Sequence, residues 1–237
     1  MIGHSMVSKI MGKIENSILG GSIVAIGRDC RSLFFDIKSA IFHMKNYFLL
    51  SRKTPAVRKL HFGCGSDYKN SFINLDLNRS ADYYFDARNR LPFRDGTIEY
   101  IYSSHFVEHL SNDELMRHFK ECFRVLKVDG IYRICIPDFE SSIKAYIRKD
   151  YGRIERSKKD FPLNYRFIPE DLLTYADYLD RSLHEYGTHK IFLDYEKTKN
   201  MLIHSGFQEA NINLADYDPS IDRKERKDYS IYIEARK

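Results

Sequence analysis

Lys59-Leu-His-Phe-Gly-Cys-Gly-Ser66, followed by Phe72-Ile-Asn-Leu-Asp76, is the stretch that decides the fold. A short apolar run enters a turn with two glycines, and a second apolar run ends in a carboxylate. Gly63 and Gly65 permit a tight turn and let a ligand approach the backbone closely. Asp76 lies eleven residues past Gly65. In open α/β sheets ligands sit outside the carboxyl ends of the strands, where such an acid can accept hydrogen bonds from both hydroxyls of a ribose.

Outward from this core the pattern alternates. Tyr83-Tyr-Phe-Asp86 reads as a third strand and Ile98-Glu-Tyr-Ile-Tyr102 as a fourth. Asn112 to Leu126 reads as an amphipathic helix, with Leu115, Phe119, Cys122, Phe123 and Leu126 on one face. Asp129-Gly130 turns the chain into a fifth strand, residues 131–136, closed by Pro137-Asp138, and a helix is expected over 139–149. Residues 150–190 are polar and aromatic, with Tyr146, Tyr151, Phe161, Tyr165, Phe167, Tyr175, Tyr178 and Tyr186 in or beside them, and lack clear periodicity. A helix from Tyr195 to Ser205 closes at Gly206. Residues 208–216 and 229–235 read as β segments joined by the charged loop 222–228, whose basic part, 223–227, is expected to be a solvated hairpin tip. This alternation predicts a seven-stranded, mainly parallel sheet with helices on both faces and an antiparallel C-terminal edge strand. Residues 1–56 read as a helical N-terminal extension, and 57–237 as one α/β domain with an aromatic-rich insert at about 150–190.

The later motifs fall in a fixed order. Phe85-Asp-Ala87 precedes Leu91-Pro-Phe-Arg-Asp-Gly96, then the fourth strand, then Ser103-Ser-His-Phe-Val-Glu-His-Leu110, then Arg124-Val-Leu-Lys-Val-Asp-Gly130. This series resembles class I S-adenosylmethionine-dependent methyltransferases of the type 11 kind, over about residues 58–138 and more loosely 190–237. The resemblance implies a Rossmann-like fold and S-adenosyl-L-methionine as cofactor. It implies that Gly63, Cys64 and Gly65 wrap the methionine part, that Asp76 with Leu77 beside it holds the ribose, and that Asp86 and Ala87 meet the adenine. Ser103 and His105 would line the methionine end. Where the family often has an acid two residues before the first glycine, this chain has His61, which would contact the methionine carboxylate or sit at the core edge. Asp67 stands where the family often has a third glycine. A subset encoded near cell-surface polysaccharide genes shares these details and the strand-closing Pro137-Asp138, and from it comes the expectation of O-methylation of a glycan or another small hydroxylated acceptor.

Removing a hydroxyl proton calls for a base near neutral pKa, and histidine is the natural choice. His105 and His109 follow the fourth strand, while His184 and His189 lie at the end of the insert. His105 is the first candidate base. Histidine and carboxylate at the spacing His105, Glu108, His109 also suit a divalent metal, with His184 or His189 as a fourth ligand. That set resembles the E-x-x-E-H of some metal-using O-methyltransferases. The expected site holds no metal, and this set is the alternative.

Charge is unevenly placed. Residues 1–58 carry +6 of the net +5, so the rest is slightly acidic. That speaks against a nucleic-acid groove in the main domain, and the Asn/Asp-Pro-Pro-aromatic signature of amino-group methylators is missing. The basic arm would allow peripheral contact with an anionic membrane. Cys30, Cys64, Cys122 and Cys135 match no zinc or disulfide spacing and read as reduced thiols of a cytoplasmic protein. A signal-peptide pattern is not expected at the N-terminus. The competing reading is a catalytically silent protein that binds the cofactor or a partner; the intact set of Gly63, Gly65, Asp76 and Asp86 speaks against it. Nothing in the sequence fixes the oligomeric state.

Overall fold

The computed structural model describes residues 58–78, 81–161 and 174–237. The helical extension expected over 1–56 lies outside the described residues, as do Tyr165 and Phe167 of the insert and the membrane contact assigned to the arm. No helix among the described residues is long and apolar enough to cross a membrane.

Seven strands among the described residues form one sheet. They are β1 (Lys59–Phe62), β2 (Ile73–Asp76), β3 (Tyr83–Tyr84), β4 (Ile98–Ser104), β5 (Leu126–Pro137), β6 (Ile212–Ala215) and β7 (Ser230–Arg236). Their order is β3-β2-β1-β4-β5-β7-β6. β1 pairs in parallel with β2 on one side and β4 on the other, bringing Phe62 beside both Leu75 and Ser103. The chain leaves β1 for β2 and β3, then returns to the far side of β1 as β4. That reversal is the switch point at which open α/β sheets bind ligands. β7 runs antiparallel to both β5 and β6. The antiparallel pairing expected at the C-terminus is present, with β7 one place in from the edge and β6 outside it.

Leu60, His61 and Phe62 are all buried, so β1 is covered on both faces and shows no polar alternation. One cover is α1 (Asn112–Val125), whose Leu115, Phe119, Cys122 and Val125 lie on the sheet. Its start is a capping box: Ser111 Oγ accepts from Glu114 N, and Glu114 Oε2 accepts from Ser111 N. His118 is fully buried on the same face. Its Nδ1 faces the Ala87 carbonyl oxygen at 3.3 Å and must donate, so its Nε2 accepts from the Tyr132 hydroxyl at 3.1 Å. Burial pulls its pKa down to about 4.

The remaining α-helices among the described residues are α2 (Phe139–Arg148), α3 (Tyr151–Asp160), α4 (Tyr175–His184) and α5 (Tyr195–His204). Asp138 caps α2, giving the strand-closing Pro137-Asp138 a local structural reason. The insert expected to lack periodic structure contains α3 and α4, capped by Asp150 and by a Thr174–Asp177 box. Their apolar contact is small, a cluster of Ala145, Ile154 and Tyr178, so a hydrophobic pattern had little to report. β5 also begins earlier than expected, directly after α1. Asp129, at φ 62°, lies within an irregular part of the β4–β5 register instead of a separate turn.

In the basic loop 223–227, Lys224, Glu225 and Lys227 are exposed as a solvated tip requires, but Arg226 is not, and the residue just before the loop is drawn into the fold. Asp222 is buried against Arg133, whose Nη1 donates to Glu234 Oε1 at 2.8 Å and Nη2 to the Asp216 carbonyl at 2.6 Å. Residues Lys224–Tyr229 form 3₁₀ turns, and Arg226 Nη1 donates to both Ser104 O and Ser104 Oγ at 2.7 Å. The Arg226 side chain is thus fastened to the end of β4.

Candidate active site

A cleft of about 390 Å³ opens at the carboxyl ends of β1, β2 and β4, lined by Gly63, Asp76, Asp86, Ala87, His105 and His109 among others. That size is within the range of small-molecule sites. Two other hollows among the described residues, one along α5 near Met116 and one near Lys59 and Tyr100, contain none of the candidate cofactor or catalytic residues.

Gly63 and Gly65 both adopt left-handed backbone, at φ 62° and 49°. They differ in what surrounds them. A Cβ on Gly63 would meet Phe106 Cδ2 at 2.5 Å, whereas a Cβ on Gly65 would meet nothing within 4 Å. Gly63 is therefore a packing glycine, and Gly65 leaves open space beside the turn. Asp76 is held by backbone donors: Gly65 N–H to Oδ2 at 2.8 Å and Asn78 N–H to Oδ1 at 2.7 Å. Each oxygen keeps lone-pair capacity for a further donor. Leu77, half exposed, lines the cleft next to it.

Asp86 is reached by an unexpected neighbour. Arg88 Nε donates to Asp86 Oδ1 at 2.8 Å and to Oδ2 at 2.9 Å, and Arg88 itself lines the cleft. A bidentate guanidinium is a strong partner for a carboxylate, so any base amino group must share Asp86 with Arg88.

His105 and His109 both line the cleft. His105 has φ 49°, a strained conformation for a non-glycine residue. Its N–H donates to the Cys135 carbonyl at 2.9 Å, and its Nε2 lies 2.8 Å from Ser230 Oγ. Burial, with Arg226 nearby, moves its pKa well below the ordinary value, which keeps the ring neutral. Its Nδ1 is 3.9 Å from Glu108 Oε1. Glu108 is completely buried in the 3₁₀ turn Val107–His109, and burial pushes its pKa up to about 7.

Three expected contacts lie elsewhere. His61 is on the face of β1 away from Leu60 and Phe62. Its ring lies 5.0 Å from that of Tyr102, and its Nδ1 meets Asn74 Oδ1 at 3.1 Å. Burial pulls its pKa down to about 4, so it is a neutral core histidine and not a partner for a carboxylate in the cleft. Alternation of side chains across β1 is the reason. Ser103 is buried, with its hydroxyl 3.0 Å from that of Tyr132. Cys64 is buried behind the turn, and burial raises its thiol to about 11. The other described cysteines, Cys122 and Cys135, are also free and buried.

The sequence reading missed Phe106, Arg88 and Lys190, all of which line the cleft. Lys190 reaches it because its backbone N–H donates to the Glu108 carbonyl at 2.9 Å and its Nζ to Glu114 Oε2 at 2.8 Å. That ion pair pulls Glu114 down to about 2.

Residues 64–134 match the methyltransferase domain family, and they contain Gly65, Asp76, Asp86, His105 and His109. No protein of curated function matches the chain in sequence. Among solved structures, a SAM-dependent methyltransferase from Archaeoglobus fulgidus is 16% identical, covers 85% of this chain and 94% of its own, and has a TM-score of 0.48. One from Aquifex aeolicus is 11% identical over 75% and 80% of the two chains, with a TM-score of 0.42. The phosphoethanolamine N-methyltransferase 2 of Haemonchus contortus, in complex with S-adenosyl-L-methionine, is 14% identical over 81% of this chain and 52% of its own, at 0.42. The likeness to a methyltransferase domain thus spans residues 64–134, the stretch that builds most of the cleft.

Proposed function

We propose that the protein transfers the methyl group of S-adenosylmethionine to an oxygen of a small hydroxylated acceptor, with glycans as the leading class. The observation that carries this reading is the convergence of the Gly63–Gly65 turn, Asp76 and His105 on one cleft. The cofactor fits these residues. Gly65 has open space where a side chain would stand, and Asp76 is preoriented by two backbone donors with capacity left for ribose hydroxyls. Arg88 shares Asp86 with the base. When bound, the cofactor supplies an electrophilic methyl on a positively charged sulfur.

What remains for the protein is alignment and removal of one proton. Holding the acceptor in line supplies a large part of the acceleration. His105 is the assigned base, because it lines the cleft, its ring Nε2 meets Ser230 Oγ and its backbone N–H is held by the Cys135 carbonyl. His109, a third exposed on the same wall, is the second histidine in reach of an acceptor. The preference for oxygen over nitrogen rests on this pair of histidines, and the glycan class on the resemblance to enzymes of surface polysaccharides.

The test is calorimetry with S-adenosylmethionine, then a screen of sugars and phenols for S-adenosylhomocysteine release. Asp76→Ala should weaken cofactor binding by about 1–3 kcal/mol, the cost of losing a buried acceptor. His105→Gln should leave that affinity intact and lower kcat by roughly 10²–10⁴-fold, the usual reach of general-base catalysis. Unchanged turnover in His105→Gln removes the base assignment. Unchanged affinity in Asp76→Ala removes the cofactor site.

A further inference from the structure

Behind His109 on the cleft wall lies a cluster whose other members, Glu108 and His189, have no part in the methyl transfer described above. Glu108 Oε1 and Oε2 are both buried without a hydrogen-bond partner. An unpaired buried carboxylate is costly, and native proteins rarely leave both oxygens unmet. Besides His105, whose Nδ1 is 3.9 Å from Oε1, two histidines from different parts of the chain face it. One ligating atom each from Glu108, His109 and His189 lies within 4.8 Å of the others.

The histidines are oriented in the same way. His109 Nδ1 faces the Thr188 carbonyl at 3.1 Å, and His189 Nδ1 faces the Leu183 carbonyl at 3.0 Å. A nitrogen that faces a carbonyl must carry the proton, so in the neutral rings both Nε2 lone pairs are left for another partner. This is how metal-binding histidines are fixed, with the second nitrogen tied to a backbone carbonyl. His105, which the sequence spacing placed in a metal set, stands outside this triad. His189 enters from beyond α4, and His184 instead packs on Phe192 at 5.6 Å between ring centres.

We propose that Glu108, His109 and His189 bind one divalent transition-metal ion, Zn²⁺ or a first-row neighbour. Two imidazoles and a carboxylate suit such ions, whereas Mg²⁺ and Ca²⁺ favour all-oxygen cages. Tetrahedral zinc with Zn–N of about 2.0 Å sets its donors roughly 3.3 Å apart, so the three side chains draw together on binding. Glu185 is the competitor in the ion-free state: its Oε2 lies 3.0 Å from His189 Nε2 and 3.8 Å from His109 Nε2. A protonated His189 can pair with it, and the metal replaces that proton. Three protein ligands leave a coordination position. His109 is shared with the cleft wall, and the free position accepts an acceptor hydroxyl oxygen. That last step rests on the O-methylation reading; the binding of the ion does not.

The experiment uses the full chain, stripped with chelator and then dialysed against Co²⁺ or Zn²⁺ at neutral pH. One ion per chain is expected, with visible d–d bands in the Co²⁺ form and no thiolate charge-transfer band. Glu108→Gln, His109→Gln and His189→Gln should each weaken uptake at least roughly 100-fold, since even outer partners of metal ligands are worth 10–100-fold. His184→Gln should bind like the parent. Because Glu108→Gln can disturb a buried region, the partly exposed His109 provides the variant that keeps the test decisive. Less than stoichiometric uptake by the parent, uptake unaltered in the His109 and His189 variants, or a cobalt–thiolate spectrum would each overturn the site. Failure of cofactor binding with normal metal uptake would instead strike the methyltransferase reading alone.

Discussion

The cleft has two walls, and they are assembled over different distances. On one, Gly63, Asp76 and Asp86 come from the ends of β1, β2 and β3, successive strands bonded side by side. On the other, His105 and His109 follow β4, while Lys190 and the metal-triad member His189 arrive only after α1 to α4. The first wall follows from local rules, a glycine turn and strand-end acids. The second depends on how remote segments pack. The walls meet at three joints, where Gly63 faces Phe106, where His118 underlies Ala87 and Phe106, and where Glu114 pairs with Lys190 near Arg88.

The first joint should show the largest effect. At Gly63 an added methyl meets Phe106 Cβ at 2.7 Å as well as the ring, and the backbone is left-handed. Overpacking and the unfavourable φ together should make Gly63→Ala cost about 2–4 kcal/mol in denaturant unfolding. At Gly65 only the backbone cost of about 1–2 kcal/mol remains. Equal losses for the two variants would mean that the first wall does not depend on the second for its packing.

The second joint is sensitive to acid. His118 is neutral in the fold, with a pKa of about 4, and an unfolded histidine titrates near 6.5. Its contribution is complete above pH 6.5 and is lost as pH falls through that range towards 4, because the unfolded chain takes up the proton first. At about 1.4 kcal/mol per unit the ceiling is about 3 kcal/mol. His61, also near 4, adds a slope of the same sign on the opposite face of the sheet. Glu121 is the carboxylate acting on His118, and it only partly offsets the burial. Urea unfolding from pH 7.5 to 4 should show this decline, and His118→Phe should flatten it. A slope unchanged in His118→Phe would place the acid sensitivity elsewhere.

The same contrast explains what the sequence could tell. Parallel strands flanking a glycine turn have few alternative readings, and the amphipathic face of α1 is wide. Asp76 was legible because strand-end position alone aims it. His61 was not, since a position two residues before a glycine does not reveal which face of the strand it occupies. α3 and α4 were missed because only Ile154, Ser157 and Tyr178 are buried along them, although Asp150 and the Thr174–Asp177 box were present as cap signals. Arg226 resembled any surface arginine until the chain folded it onto Ser104. His189 carried no local mark to separate it from His184, the other candidate in the insert. Its role depends on a carbonyl at Leu183 and a carboxylate at Glu108, and no short motif encodes that distance.

The third joint predicts the smallest effect. Ser111→Ala removes the acceptor for Glu114 N–H, and loss of such a cap costs about 1 kcal/mol. Amide exchange should speed up in the first turn of α1, and unfolding should shift by about that amount. Cofactor affinity is the informative readout. Glu114 also holds Lys190 at 2.8 Å and stands 3.6 Å from Arg88, so it touches both walls at once. If the cap only starts a helix, cofactor affinity stays within a factor of about two while stability falls, because an exposed ion pair is worth less than 1 kcal/mol. If affinity falls with stability, and Glu114→Gln reproduces the loss while Lys190→Gln does not, then Glu114 steers Arg88 onto Asp86, and the remote wall sets the geometry of the local one.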